Sequence, residues 1–319
     1  MRIVRVLFEP WSLGDCVIAA AVLREIPEET ALACHPRWHS VLTSAMPDIA
    51  PGRLVPIELP YTSRVRSGRF DTGGGVTEVR PAENAEMAVR EVLGIRGDIR
   101  DFVNARKCFP GSRIRMSGWI PFLARRIRLL DLPYALGWLE ARNRYAAWAS
   151  IAGIPFQRIS GRYLKERAGI TKGGTVLVHV GAQWISRQYP HVASLVSLLK
   201  AEGWRVRLAA SAQDRIPRDI TEADLERMEG SALVSAIGEA SLVICNDSGP
   251  MHLSAFLGKP TIAVARTANI LEWLPPGVAY AASPLMVHGY RPSPEYMSDE
   301  RLEGWPDPRE VLGLALSFG

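Results

Sequence analysis

The stretch at 246–260, NDSGPMHLSAFLGKP, lies between two apolar runs, SLVIC at 241–245 and TIAVA at 261–265. Short apolar runs bounded by turn residues read as buried strands, so the local order is strand, loop, helix, loop, strand, with the two strands parallel. The helix is well punctuated. Ser248 is placed to act as N-cap, Pro250 suits the first helical position, and Gly258 followed by Lys259 and Pro260 supplies the stop. In such a unit the helix N-terminus sits at the carboxyl end of the strand with its N–H groups aimed outward, where open α/β sheets bind anions. The backbone from Ser248 and Gly249 through Pro250 and Met251 is therefore a candidate cradle for a diphosphate. Asp247 does not suit a bare phosphate site, because its carboxylate repels oxyanions. It either accepts hydrogen bonds from sugar hydroxyls or caps the helix. His252, on the first turn, is either a core histidine or a ligand to the same phosphate.

The rest of the chain repeats the α/β pattern. RIVRVLF at 2–8 is a first strand, and 15–26 is an apolar-faced helix, joined by a loop containing Gly14. Asp15 heads that helix, where a carboxylate is favoured by the dipole; it reads as a cap or as a general base for a hydroxyl proton. Strands are expected at 30–34 and 53–57, a helix at 36–45, a polar Gly-rich loop at 61–79, a helix at 82–93 and a short strand at 99–103. The segment 113–150 mixes arginines with Trp119, Phe122, Trp138 and Trp148. It is either an ordinary solvated surface or a face toward a phosphate-bearing acceptor or a membrane. Residues 154–174, rich in Gly, are the candidate linker. Beyond them come a strand at 175–180, a helix at 190–202, a strand at 205–210 and a helix at 233–238. The expected domains are 1–160 and 161–305, with a last helix in 306–319 that is a candidate to cross back to the first.

With 319 residues the chain has enough surface to bury in two ordinary domains. No apolar run reaches the roughly 18 residues of a membrane span, and Glu9 and Asp15 break the N-terminal apolar stretch, unlike a signal peptide. Cys16, Cys34, Cys108 and Cys245 are scattered without a C-x-x-C pair, which fits buried thiols in a reducing cytoplasm. The motif at 34–39, CHPRWH, has no second ligand cluster, so no metal site is expected. The formal charge of +5 favours an anionic partner. There is no G-x-G-x-x-G after the first strand and no G-x-x-x-x-G-K-[ST], which argues against a dinucleotide oxidoreductase or a P-loop kinase.

Three segments carry a family resemblance. NDSGPMHLSAFLGKP is similar to the signature of glycosyltransferase family 9, the ADP-heptose:lipopolysaccharide heptosyltransferase family. SLGDCVIAAAVLREIP at 12–27 resembles that family's N-terminal loop and helix, and HVGAQWISRQYP at 179–190 resembles its donor-side segment. The resemblance implies a GT-B fold, two Rossmann-like domains facing across a cleft. It implies an inverting, metal-independent transfer of heptose from ADP-heptose to a lipopolysaccharide core or related glycan. In that scheme Asp15 is the base, with Ser12 and Gly14 on the acceptor side. Ser186, Arg187, Asp247, Ser248, Gly249, Pro250, Met251 and His252 face the donor.

The implied partners are a nucleotide sugar, as co-substrate rather than cofactor, and an anionic glycolipid or glycan; nucleic acid is not among them. The implied location is cytoplasmic, with peripheral contact at the inner face of the membrane. Some positions depart from the family pattern. Glu9 stands where arginine is usual, Arg187 where lysine is, and Ala265-Arg266-Thr267 where the family has G-P-T; Asp214 is the counterpart of its nucleotide-contacting acid. The competing expectations are a transferase using another nucleotide sugar, a silent member that only binds, and an epimerase on the same scaffold.

Overall fold

The computed structural model describes residues 3–57, 88–95, 99–116, 143–165, 170, 173–182, 184–212, 214–283 and 303–318. They form two units, Met1–Ile159 and Ser160–Gly319, each built on its own parallel sheet.

The first unit carries β1 (Arg5–Phe8), β2 (Thr30–Cys34), β3 (Leu54–Pro56), β4 (Glu91–Gly94) and β5 (Arg113–Met116) in the order β3-β2-β1-β4-β5. Its helices are α1 (Leu13–Leu23), α2 (Pro36–Ala45), α3 (Ile99–Cys108) and α4 (Arg144–Ala152). All eleven residues of α1 are buried, and the helix is apolar almost all round, as expected for an element packed on several sides. One face of the sheet packs Val6, Phe8, Ala33, Val55 and Val92 against Ala105, Cys108 and Phe109 at the end of α3. Arg53 holds the α1–β2 connection from within. Its guanidinium donates to the carbonyls of Thr30 (2.8 Å), Leu23 (2.9 Å), Pro27 (3.1 Å) and Ile26 (3.2 Å).

Helix α5 (Phe156–Lys165) carries the division between the units, so the segment expected as a linker is helical over much of its length. The second unit then sets out β6 (Thr175–His179), β7 (Arg205–Ala210), β8 (Leu225–Arg227), β9 (Leu242–Asn246), β10 (Thr261–Ala265) and β11 (Ala279–Ala282). The sheet order is β11-β10-β9-β6-β7-β8, all parallel. Counted from β6 this is the doubly wound arrangement, and the chain reverses direction between β6 and β9. One face buries Val176, Val178, Ile244 and Ile262 beneath α6 (Val192–Ala201) and α9 (Pro308–Ser317). Helices α7 (Gly230–Glu239) and α8 (Gly249–Phe256) pack against β6, β9 and β10. The last helix, α9, packs on α6, β10 and β11 within the second unit.

Three expectations are corrected. Residues 91–94 are a strand rather than the end of a helix, because this short apolar piece is the sheet neighbour of β1 and is buried there. Residues 99–108 are helical rather than a strand, with Asp101, Ala105 and Cys108 buried at helical spacing. Trp148 belongs to the core and not to a lipid or acceptor face: it is fully buried on α4, which packs on α1. The expected loop at 61–79 and the basic aromatic run at 117–142 lie outside the described residues. Among the described residues no helix is long and apolar enough to cross a membrane, and no three His, Cys, Asp or Glu side chains gather as a metal site.

Candidate functional site

Each sheet reverses its strand order at one place, and the loops leaving the carboxyl ends of the strands there are the positions open to a ligand. In the first unit these include the loop after β1. Ser12, not Asp15, is the N-cap of α1: its Oγ accepts from the Asp15 amide at 3.3 Å. Asp15 therefore occupies the third helical position, which removes the cap reading. The Ser12 hydroxyl donates to Asp15 Oδ2 at 2.6 Å, so one residue both starts the helix and aims the carboxylate. Asp15 is 7 % exposed and Gly14 is buried. Nearby, Trp11 donates from its indole to Asp101 at 3.1 Å, and Trp38 donates to the Trp11 carbonyl at 2.7 Å, which pins the loop. Glu9 is fully buried in the same loop, and its carbonyl accepts from the Cys16 thiol at 3.0 Å.

The second unit gathers more of the expected residues. After β6 the chain passes Trp184 and makes a short 3-10 turn, Ile185–Arg187. The Arg187 guanidinium lies over the Trp184 indole, 4.3 Å from its centroid, and its Nη1 is 3.2 Å from Asp247 Oδ2. It also approaches the Asp247 carbonyl at 3.5 Å. Ser186 beside it is 1 % exposed, and its Oγ has no hydrogen-bond partner among the described residues. Asn246, at the end of β9, ties these loops together. Its amide donates to the carbonyls of Val180 (2.9 Å) and Gly181 (3.2 Å), and its Oδ1 accepts from the Tyr189 amide at 3.0 Å.

The start of α8 differs from the sequence expectation in detail. Ser248 occupies the N-cap position, but its hydroxyl turns back and donates to the Asn246 carbonyl at 3.2 Å. Gly249, not Pro250, is the first helical residue. Pro250 has no N–H to offer, and the Met251 amide is bonded to the Ser248 carbonyl at 3.1 Å. The amides of Ser248 and Gly249 have no partner among the described residues, so the cradle is narrower than four residues. The side chains of Met251 and His252 are buried, 0 % and 3 % exposed, and do not line the recess described next.

That recess brings together Ser186, Arg187 and Asp247 with Arg266, Asn269, Glu272 and Trp273, which follow β10. Two arginines and two carboxylates thus face one hollow at the carboxyl ends of β6, β9 and β10. Asn269, Glu272 and Trp273 were not anticipated from sequence, although the same rule of carboxyl-end loops pointed to the segment after β10. Asp214 lies elsewhere: its carboxylate accepts from the Ser211 amide at 2.9 Å and packs so tightly on Gly181 that a Cβ there would collide with it. Burial holds the neighbouring His179 imidazole below the ordinary histidine range, against the opposing pull of the Asp214 carboxylate. Burial also drives the thiols up, Cys34 and Cys108 each to about 12, so these cysteines are inert packing groups.

Residues 153–296 match the family model of glycosyltransferase family 9 (heptosyltransferase). No curated protein matches the chain. Among solved structures, a glycosyl transferase family 9 protein from Veillonella parvula superposes with a TM-score of 0.60 at 14 % identity, over 99 % of this chain and 96 % of that one. The ADP-heptose LPS heptosyltransferase II of E. coli gives 0.55 at 17 % identity, covering 99 % and 98 %. The E. coli heptosyltransferase WaaC, solved with ADP, gives 0.55 at 13 % identity over the whole of both chains. At these identities the shared property is the fold, two parallel-sheet α/β domains similar to the GT-B heptosyltransferases. The sequence match to the family model runs through β6 to β11 and the recess they carry.

Proposed function

We propose that the protein is an inverting glycosyltransferase that works without a metal ion, taking a nucleotide sugar in the second unit and a glycan hydroxyl as acceptor. The observation that carries the reading is the Arg187–Asp247 pair set in a recess at the switch point of the second sheet, beside two amides of α8. A diphosphate bound there meets the guanidinium of Arg187 and the N–H groups of Ser248 and Gly249, with Arg266 as a second cation. Asp247, at the rim of the same recess, is the acceptor for hydroxyls of the donor sugar.

The acceptor oxygen attacks the anomeric carbon from the face opposite the diphosphate, the anomeric C–O bond breaks, and its electron pair leaves with the nucleoside diphosphate. The acceptor's proton passes to the carboxylate of Asp15, which Ser12 holds in place at 2.6 Å. An adenine nucleotide and a heptose are the first choices, because the similar E. coli proteins are named for ADP-heptose or were solved with ADP. A lipopolysaccharide core or related anionic glycan is the matching acceptor.

The test is calorimetry with ADP, UDP and GDP in EDTA, followed by nucleotide release from ADP-heptose and other sugar nucleotides with core oligosaccharide acceptors. ADP should bind in EDTA, and Arg187→Ala should weaken it by about ten- to a hundredfold, the loss typical of a hydrogen bond to a charged group. Strict dependence on a divalent ion, or an Arg187→Ala variant with unchanged affinity, refutes the donor site. Binding without turnover for any sugar nucleotide would favour a silent member instead.

A further inference from the structure

We propose that Asp247 discriminates between a sugar nucleotide and the spent nucleoside diphosphate, by holding Arg187 whenever no sugar occupies the recess. The inference rests on the donor reading above and adds a selectivity to it. The Arg187 guanidinium is already engaged within the fold: its Nη1 sits 3.2 Å from Asp247 Oδ2, and it is stacked on Trp184. The two side chains are only 18 % and 14 % exposed, so solvent screens the pair weakly. A bare diphosphate arriving at Arg187 must compete with that carboxylate and also sit beside its negative charge. A sugar nucleotide brings hydroxyl donors with its phosphates. Those donors satisfy Asp247, which then releases the guanidinium and accepts hydrogen bonds in place of the ion pair.

A second feature marks the recess as built for a polar ligand. The Ser186 hydroxyl is buried, belongs to a residue that lines the recess and has no partner among the described residues. A buried hydroxyl in that state is costly unless something outside the fold's own hydrogen bonding reaches it. The arrangement also gives product release a direction. Once the sugar has left, Asp247 loses its hydroxyl donors and retakes Arg187, which weakens the hold on the diphosphate.

The experiment is a double-mutant cycle read by calorimetry with two probes, ADP and ADP-heptose, on wild type, Asp247→Asn, Arg187→Gln and the double variant. Asparagine keeps the size of aspartate and removes its charge. Asp247→Asn should tighten ADP by about tenfold, the scale of one charge-assisted hydrogen bond, and should not tighten ADP-heptose. The gain should vanish in the Arg187→Gln background. A general repulsion of phosphate by the carboxylate predicts instead that the gain persists there, and that result overturns the proposal. Unchanged or weaker ADP binding by Asp247→Asn overturns it too. If wild type binds neither probe nor other sugar nucleotides, the donor reading itself fails and the selectivity with it; binding without the predicted gain removes only the selectivity. Should Asp247→Asn fold poorly, Asp247→Ser in the same cycle gives the same sign.

Discussion

Replacing Asn246 by alanine removes three hydrogen bonds at once, to the carbonyls of Val180 and Gly181 and from the amide of Tyr189. The side chain is 2 % exposed, and its partners lie on the two loops that flank Arg187. Each such bond contributes about 0.5–1.5 kcal/mol net, and each buried group left unpaired costs about 1–3 kcal/mol. A water entering the vacated space recovers part of this, so the expected loss is about 2–4 kcal/mol for the second unit. That is a large share of an ordinary domain's stability of about 5–15 kcal/mol, but the unit should remain folded. Urea and thermal denaturation should show the melting temperature of that unit falling by about 5–15 °C. Asn246→Asp makes a sharper comparison. It keeps an acceptor for Tyr189 but turns a carboxylate onto two carbonyl oxygens, so it should be worse than alanine. A loss under about 0.5 kcal/mol for alanine, within the range of ordinary surface substitutions, or an aspartate variant more stable than the alanine one, refutes the reasoning.

Three further outcomes are expected. Asp15→Asn keeps the hydrogen bond from Ser12 but cannot take a proton, so turnover should fall by about 10²–10⁴-fold with ADP affinity unchanged, as steady-state kinetics and calorimetry would show. Arg53→Met removes four hydrogen bonds to carbonyls, of which Pro27 keeps the Thr30 amide, and should cost about 3–4 kcal/mol in the first unit by urea denaturation. His179 has a folded pKa below its unfolded value of about 6.5. The unfolded chain therefore binds the extra proton first, and stability should be full above about pH 6.5 and decline as pH falls below it, by at most about 1.4 kcal/mol per pH unit. A melting-temperature series in pH should be flatter for His179→Leu.

What sequence reading captured and what it missed divide on physical grounds. β2 and β10 match their expected bounds of 30–34 and 261–265 because interior strands of a parallel sheet are nearly continuous apolar runs between turn residues, and β7 matches 205–210 although Arg205 and Arg207 alternate with its apolar residues. β4 reads as helix in the sequence because its four residues follow a stretch of helix formers and are too few to show a period. Its burial beside β1 decides the matter, and β1 lies 86 positions away along the Arg5–Glu91 contact. Trp148 shares a segment with many arginines, and its burial depends on α1, which the segment itself does not reveal. At the site, the candidates Ser186, Arg187 and Asp247 were legible as residue types. Their ion pair was not, since it spans 60 positions, nor was the role of Asn246, whose partners lie 57 to 66 positions away.

The two sheets follow one topological rule and equip it with opposite chemistry. In the first unit the strand-to-helix loop after β1 ends in a serine cap whose hydroxyl points its proton at a carboxylate, and Glu9 is buried in the same loop. That environment suits a group that accepts a proton and holds an uncharged hydroxyl. In the second, the corresponding loops offer a stacked guanidinium, two amides and a second arginine, an environment suited to an anion. The difference lies in how each helix start is satisfied. Ser12 spends its oxygen on the first turn of α1 and its proton on Asp15; Ser248 turns its hydroxyl away from α8, and the Ser248 and Gly249 amides have no partner among the described residues. On the proposed reading, the serine that caps its helix marks the base loop and the serine that turns away marks the anion cradle, on one and the same fold.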